Sequence, residues 1–206
     1  MLKEMFESTF YVVFPAKSDV IVALQEREYD KDFSLFDPKS CLDCHSVCND
    51  IESRRKQLLV VTHSHVHVIS LDEVFGYVKE DLGETCDYML DGGQQVVLVE
   101  MTCCLPDHIK NKRQKARRQL FNSLCILNTH PEIKKHIEEK TARYVVFSWK
   151  KTEPDKDANK DSVEGNMMAM MGMADEVYSP DNISKFEFDF KLKEIRYPDS
   201  LVWNVV

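Results

Sequence analysis

Residues 86 to 102, CDYMLDGGQQVVLVEMT, constrain this chain more than any other stretch. Two apolar runs are joined by Gly92-Gly93 and carry a carboxylate on each arm, Asp87 and Glu100. A glycine pair between β-forming runs signals a hairpin, because two-residue hairpin turns demand positive φ and glycine supplies it without steric cost. With Gly92-Gly93 as the turn, Asp91 faces Gln94 and Asp87 faces Leu98, so Asp87, Leu98, Glu100 and Thr102 share one side of the ribbon. The two acids then lie diagonally, within reach of one cation. A three-residue loop would separate them, and Asp91-Gly92 as the turn pair keeps them together only through a full two-residue shift.

The hairpin leads into a basic helix. From Ile109 to about Leu127, Ala116, Leu120, Leu124 and Leu127 make an apolar stripe at helical spacing. Lys110, Lys112, Arg113, Lys115, Arg117 and Arg118 place six cations in nine residues of a chain whose formal net charge is −8. That local concentration fits a surface facing a phosphate backbone. It fits a solvated helix face or a docking site for an acidic protein partner equally well. The acidic total excludes a protein whose whole surface traps nucleic acid.

Elsewhere, periodicity predicts strands over Thr9 to Phe14, Leu58 to Ile69, Arg143 to Trp149 and Ser184 to Tyr197, the last at a sheet edge or interface. Asp19 to Gln25 reads as strand or short helix, Glu26 to Ser40 as loop, and Asn49 to Gln57 as a polar helix. Ser70 with Glu73 forms a capping-box signature for a helix over Leu71 to Leu82, ended by Gly83, and Pro131 opens another to Lys140. Residues 151–166 read as a mobile linker between an α/β domain over 1–150 and a closing segment over 167–206. That segment opens with MMAMMGM, which suits a helix with adaptable packing better than a metal-binding methionine cluster.

The order of elements from Leu71 to Lys150 is helix, hairpin, helix, strand, with Leu58 to Ile69 able to supply a third strand. With an acid on one strand and Glu100-Met101-Thr102 on the next, it resembles the core of the PD-(D/E)xK nuclease superfamily. The resemblance implies an α/β fold with a mixed central sheet flanked by helices, as in restriction endonucleases. It also implies magnesium or manganese held by Asp87 and Glu100, with Glu73 as a third carboxylate, and cleavage of nucleic-acid phosphodiesters. Thr102 stands where the family has lysine, which orients the attacking water and offsets charge developing on the phosphate. Threonine is no cation, so Lys110 or Lys112 is expected in that role. Failing that, the fold would serve as a non-catalytic adaptor or subunit that binds a larger protein, as in microbial defence or repair systems.

Seven cysteines, an odd number, argue against an extracellular disulfide framework. Cys41, Cys44, His45 and Cys48 bring four zinc-capable ligands into eight residues. A second ligand pair is not evident, and a reduced cysteine cluster explains them as well. His63, His65 and His67 project to one side of a continuous strand, as a metal platform, a solvated face or an interface. Neither a Ser-His-Asp order nor a phosphate-binding Gly-rich loop ending in Gly-Lys-Ser/Thr occurs. With no export signal and no apolar run near the ~20 residues that span a bilayer, the expected location is cytoplasmic, without membrane contact.

Overall fold

The computed structural model describes residues 2–18, 22–36, 57–104, 108–151 and 183–203. Among these described residues ten strands are placed: β1 (Glu26–Tyr29), β2 (Phe33–Leu35), β3 (Leu58–Thr62), β4 (Val66–Ser70), β5 (Tyr88–Gly92), β6 (Gln95–Cys104), β7 (Ala142–Lys151), β8 (Ile183–Lys185), β9 (Lys191–Arg196) and β10 (Ser200–Trp203). Seven of them form a sheet in the order β1-β4-β5-β6-β7-β9-β8, and three form a second sheet, β10-β3-β2. The large sheet is mixed. β6, β7 and β9 run parallel to their neighbours in that series, whereas β1, β4, β5 and β6 pair antiparallel in turn.

Alternation along the strands sorts side chains into two cores. Met89, Val96, Leu98 and Val145 face a layer of helices, in a cluster with Leu120, Leu124, Leu127, Ile133 and Ile137. These come from α4 (Ile109–Asn128) and α5 (Pro131–Glu138), joined by the N-terminal helices and by α3 (Leu71–Gly76). Their strand neighbours Leu90, Val97, Val99 and Val146 point the other way, onto Phe33, Leu58, Val60, Leu201 and Trp203 of the small sheet. Covered on both faces, β6 is a near-continuous apolar run rather than an alternating one. The mixed α/β sheet read from the sequence is therefore present, with helices over one face and a second sheet over the other. Among the described residues no helix is long and apolar enough to cross a membrane.

Several elements differ from expectation. Thr9 to Phe14 is helical: α1 (Leu2–Met5) passes through a π-helical turn at Phe6–Phe10 into α2 (Tyr11–Val13). Leu2, Phe6 and Phe10 recur every fourth residue and are fully buried, so their helical spacing outweighs the β preference of the local residue types. The wider π turn keeps that four-residue spacing on one face. Residues 26–35 hold β1 and β2 instead of a loop. Leu58 to Ile69 is two strands in different sheets, broken at His63 to His65. The three histidines consequently form no common platform: His63 and His65 are exposed, and His67 Nδ1 lies 2.9 Å from Glu26.

The Ser70 cap is present, its hydroxyl accepting the Glu73 N–H at 3.3 Å, but α3 ends at Gly76 rather than Leu82. The C-terminal run is likewise not one strand. β8 and β9 are an antiparallel pair separated by a turn in which Phe188 and Asp189 adopt positive φ, and Phe186 and Phe190 are buried beside it. The cluster Cys41, Cys44, His45 and Cys48, the expected linker, the methionine run and nearly all of the polar helix near residue 50 lie outside the described residues.

Candidate active site

The hairpin forms with its turn moved by one residue. Gly92 pairs with Gln95, so Gly93-Gln94 is the turn and Asp91 faces Val96 rather than Gln94. Gly93 takes the positive φ, +52°. Gly92 stays inside the strand for a different reason: a Cβ there would collide with the His65 carbonyl oxygen and touch Trp203 at 3.4 Å. Crowding by the β3–β4 connection, with Trp203 of the second sheet beside it, thus keeps position 92 a glycine, a constraint that turn chemistry alone does not contain.

At the other end of the hairpin, the expected diagonal pairing of Asp87 and Glu100 is replaced. Tyr88 lies opposite Val99, and the Asp87 N–H also donates to the Val99 carbonyl at 3.0 Å. Two consecutive residues meeting one is the arrangement of a β-bulge, which suspends strict alternation and re-aims a side chain. The Asp87 carboxylate reaches across to accept the Met101 N–H at 2.7 Å. Asp87 and Glu100 therefore line the same cavity, through local irregularity rather than through the parity argument.

That cavity, about 420 Å³, is bounded by Asp72, Asp87, Glu100, Thr102, Lys112 and Lys115, among others. Each comes from an identifiable element. Glu100 and Thr102 sit on β6, 7% and 8% exposed; Asp87 precedes β5; Asp72 lies in the first turn of α3. Lys112, Lys115 and Gln119 recur at helical spacing along α4 and present one face to the acids. Thr102 occupies the position next to the carboxylates, its hydroxyl 3.4 Å from the Cys103 carbonyl. Glu73, expected as the third acid, lines a neighbouring cavity instead, because its backbone is fixed at the helix cap. Asp72, one residue earlier, takes its place and borders both cavities. Buried Cys86 is no nucleophile there: burial pushes its thiol far up, a hydrogen bond with Ser123 pulls it partly back, and the charges of Glu100 and Asp87 raise it further.

The six cations of α4 do not act as one face. Arg113 makes a bidentate pair with Glu194 at 2.8 and 2.9 Å, and the same carboxylate accepts the Trp149 indole N–H at 2.8 Å. Lys115 pairs with Glu84 at 2.8 Å, and Arg117 stacks over Phe186 at 5.5 Å. Lys110 and Arg118 are exposed, and Lys110 is not part of the cavity wall. Of the two lysines expected to replace the missing one, the cavity includes Lys112 alone.

Oxygen donors from two or three carboxylates suit a magnesium or manganese ion in kind, since such ions take one or two carboxylates from a protein and fill the rest with water and phosphate. Among the described residues no group of three or more His, Cys, Asp or Glu side chains converges closely enough to hold a metal by itself. Sequence reasoning missed Asp72 and also a second ionic cluster, Asp91 with Lys140 and His136, at the turn end of the hairpin. The spacing of Lys112, Lys115 and Gln119 was legible as helical, whereas the Asp91 cluster joins residues 45 or more apart in sequence, beyond any local pattern. Comparison of the chain with protein-family models, curated proteins and solved structures finds no match.

Proposed function

We propose that this chain is a metal-dependent phosphodiesterase acting on nucleic acid, with a PD-(D/E)xK-like core. The observation that carries the reading is the shared wall of Asp87, Glu100, Thr102 and Lys112 around one cavity at the hairpin's open end. Asp87 and Glu100 would hold the divalent ion, with Asp72 at the rim. A bound ion there would polarise the phosphate and lower the pKa of a coordinated water. Lys112 supplies a cation from α4 in place of the one Thr102 lacks, opposite the charge that develops on the phosphate. The Met101 N–H fixes the Asp87 carboxylate, so one ligand is oriented before substrate arrives.

The test is incubation with plasmid, single-stranded DNA and RNA in magnesium or manganese, beside Asp87→Asn, Glu100→Gln and Lys112→Ala. Asparagine keeps an acceptor for Met101 and so preserves the fold while removing charge. Cutting should fall by about 100-fold or more in the acid variants. Activity unchanged in both would refute the assignment. Thr102 favours a second reading, a non-catalytic adaptor of the same architecture that binds a larger protein. Its signature would be complete inactivity with every metal, together with stable association with a protein partner.

A further inference from the structure

A second cavity, about 300 Å³, opens beside the first and shares Asp72 and Asp87 with it. It lies on the opposite side of the large sheet, where Arg27, Tyr29, Val68, Ser70 and Tyr88 face Leu35 and Phe36 at the end of β2. Its two walls are tied together, since the Tyr88 hydroxyl donates to the Phe36 carbonyl at 3.0 Å. Tyr29 is held flat by Phe33, the rings 4.0 Å apart and 12° from parallel. The slot is therefore preorganised, with aromatic walls and polar groups at its mouth.

We infer that this slot receives one unpaired base of a single-stranded nucleic acid whose backbone lies across the acid cavity, an inference that rests on the proposed phosphodiesterase reading. Aromatic walls accept the face of any base, and stacking on such walls is how single strands are held. The volume sits at the low end of small-ligand pockets, roughly 300 to 1,000 Å³, which suits one heterocycle. A base inside a duplex would have to leave its stack to enter. Asp72, Glu73 and Asp87 outnumber Arg27 on the slot's wall, so a phosphate is repelled from it, whereas Lys112 and Lys115 give the first cavity a cationic side along which the backbone lies without a metal. The same carboxylates accept hydrogen bonds from exocyclic amines, which adenine, cytosine and guanine carry and uracil and thymine do not.

Binding is measured in EDTA, so that cutting plays no part, with short single-stranded oligonucleotides carrying 2-aminopurine at successive positions. The expected result is a fluorescence change at one position, tighter binding of adenine or cytosine tracts than of uracil or thymine tracts, and weaker binding of duplex. Tyr29→Ala should weaken single-strand affinity about 5- to 150-fold. Tyr29→Phe, which keeps the ring, should restore it, and the exposed Arg27→Glu should weaken binding with the fold untouched. Equal affinity of wild type, Tyr29→Ala and Arg27→Glu would overturn the inference, as would duplex bound as tightly as single strand. Tyr29-dependent single-strand binding without cutting under any metal upholds the slot and refutes the phosphodiesterase reading; cutting indifferent to Tyr29 does the reverse.

Discussion

Asp91 has no exposed surface, yet it lies 2.7 Å from Lys140 Nζ and 3.2 Å from His136 Nε2. Burial alone would raise its carboxyl, but hydrogen bonds and charge from His136 and Lys140 outweigh that, so its pKa lies below the ordinary value. Lys140 also donates to the Gly93 carbonyl at 3.0 Å, which ties the end of α5 to the hairpin turn. A carboxyl with a depressed folded pKa stabilises the fold fully above its unfolded pKa of about 3.9, and the contribution disappears as pH falls through the folded value. Asp91→Ala strands a buried ammonium and should cost on the order of 3 kcal/mol at pH 7. Urea midpoints of wild type and variant should converge below pH 4; a gap that stays constant through acid would refute the pairing.

Among the elements, the N-terminal helix is held by its apolar side chains and by the Glu26 carboxylate, which accepts the Leu2 and Lys3 N–H groups at 3.1 and 3.2 Å. Phe10 alone packs against Phe6, Tyr11, Phe14, Phe75 and His130, at ring separations of 5.0 to 5.6 Å. Phe10→Ala should destabilise the protein by about 3 to 5 kcal/mol, measured by denaturant unfolding, because so enclosed a site cannot collapse around the void. The hairpin turn offers a sharper contrast. Gly92→Ala forces a methyl onto the His65 carbonyl and should cost about 1 to 3 kcal/mol. Gly93→Ala meets no neighbour and pays for positive φ alone, roughly 1 kcal/mol. Equal losses in thermal unfolding would mean that the His65 carbonyl does not press on Gly92. Along α4, Arg113 grips Glu194 with geometry that a lysine cannot copy, so Arg113→Lys should loosen the contact with β9 by about 1 kcal/mol, given partial exposure.

At the scale of the whole molecule, two sheets and a helical layer meet where the acid cavity and the aromatic slot share Asp72 and Asp87. A consequence is separable function: Glu100→Gln should abolish metal-dependent cutting while single-strand binding in EDTA is kept or tightened, since Glu100 borders the first cavity and not the slot, and its charge repels the backbone when no metal is bound. Loss of both together would indicate one undivided site. The basic helix α4, its apolar stripe, the hairpin and the strand that follows α5 were all legible in the chain, because each rests on short-range periodicity or turn chemistry that the local residues carry themselves. That Asp87 and Glu100 would lie on one side of the hairpin was likewise legible, and both line one cavity. What local pattern could not supply was the bulge that aims Asp87, the exchange of Glu73 for Asp72, the commitment of Arg113, Lys115 and Arg117 to internal contacts, and the slot between the sheets. Each depends on residues distant in sequence arriving at one place: Val99 against Asp87, Glu194 against Arg113, His65 against Gly92. Sequence alone determined which segments are apolar, basic or turning. Tertiary packing decided which faces meet, because contact energies between distant elements override the weaker preferences of single residues.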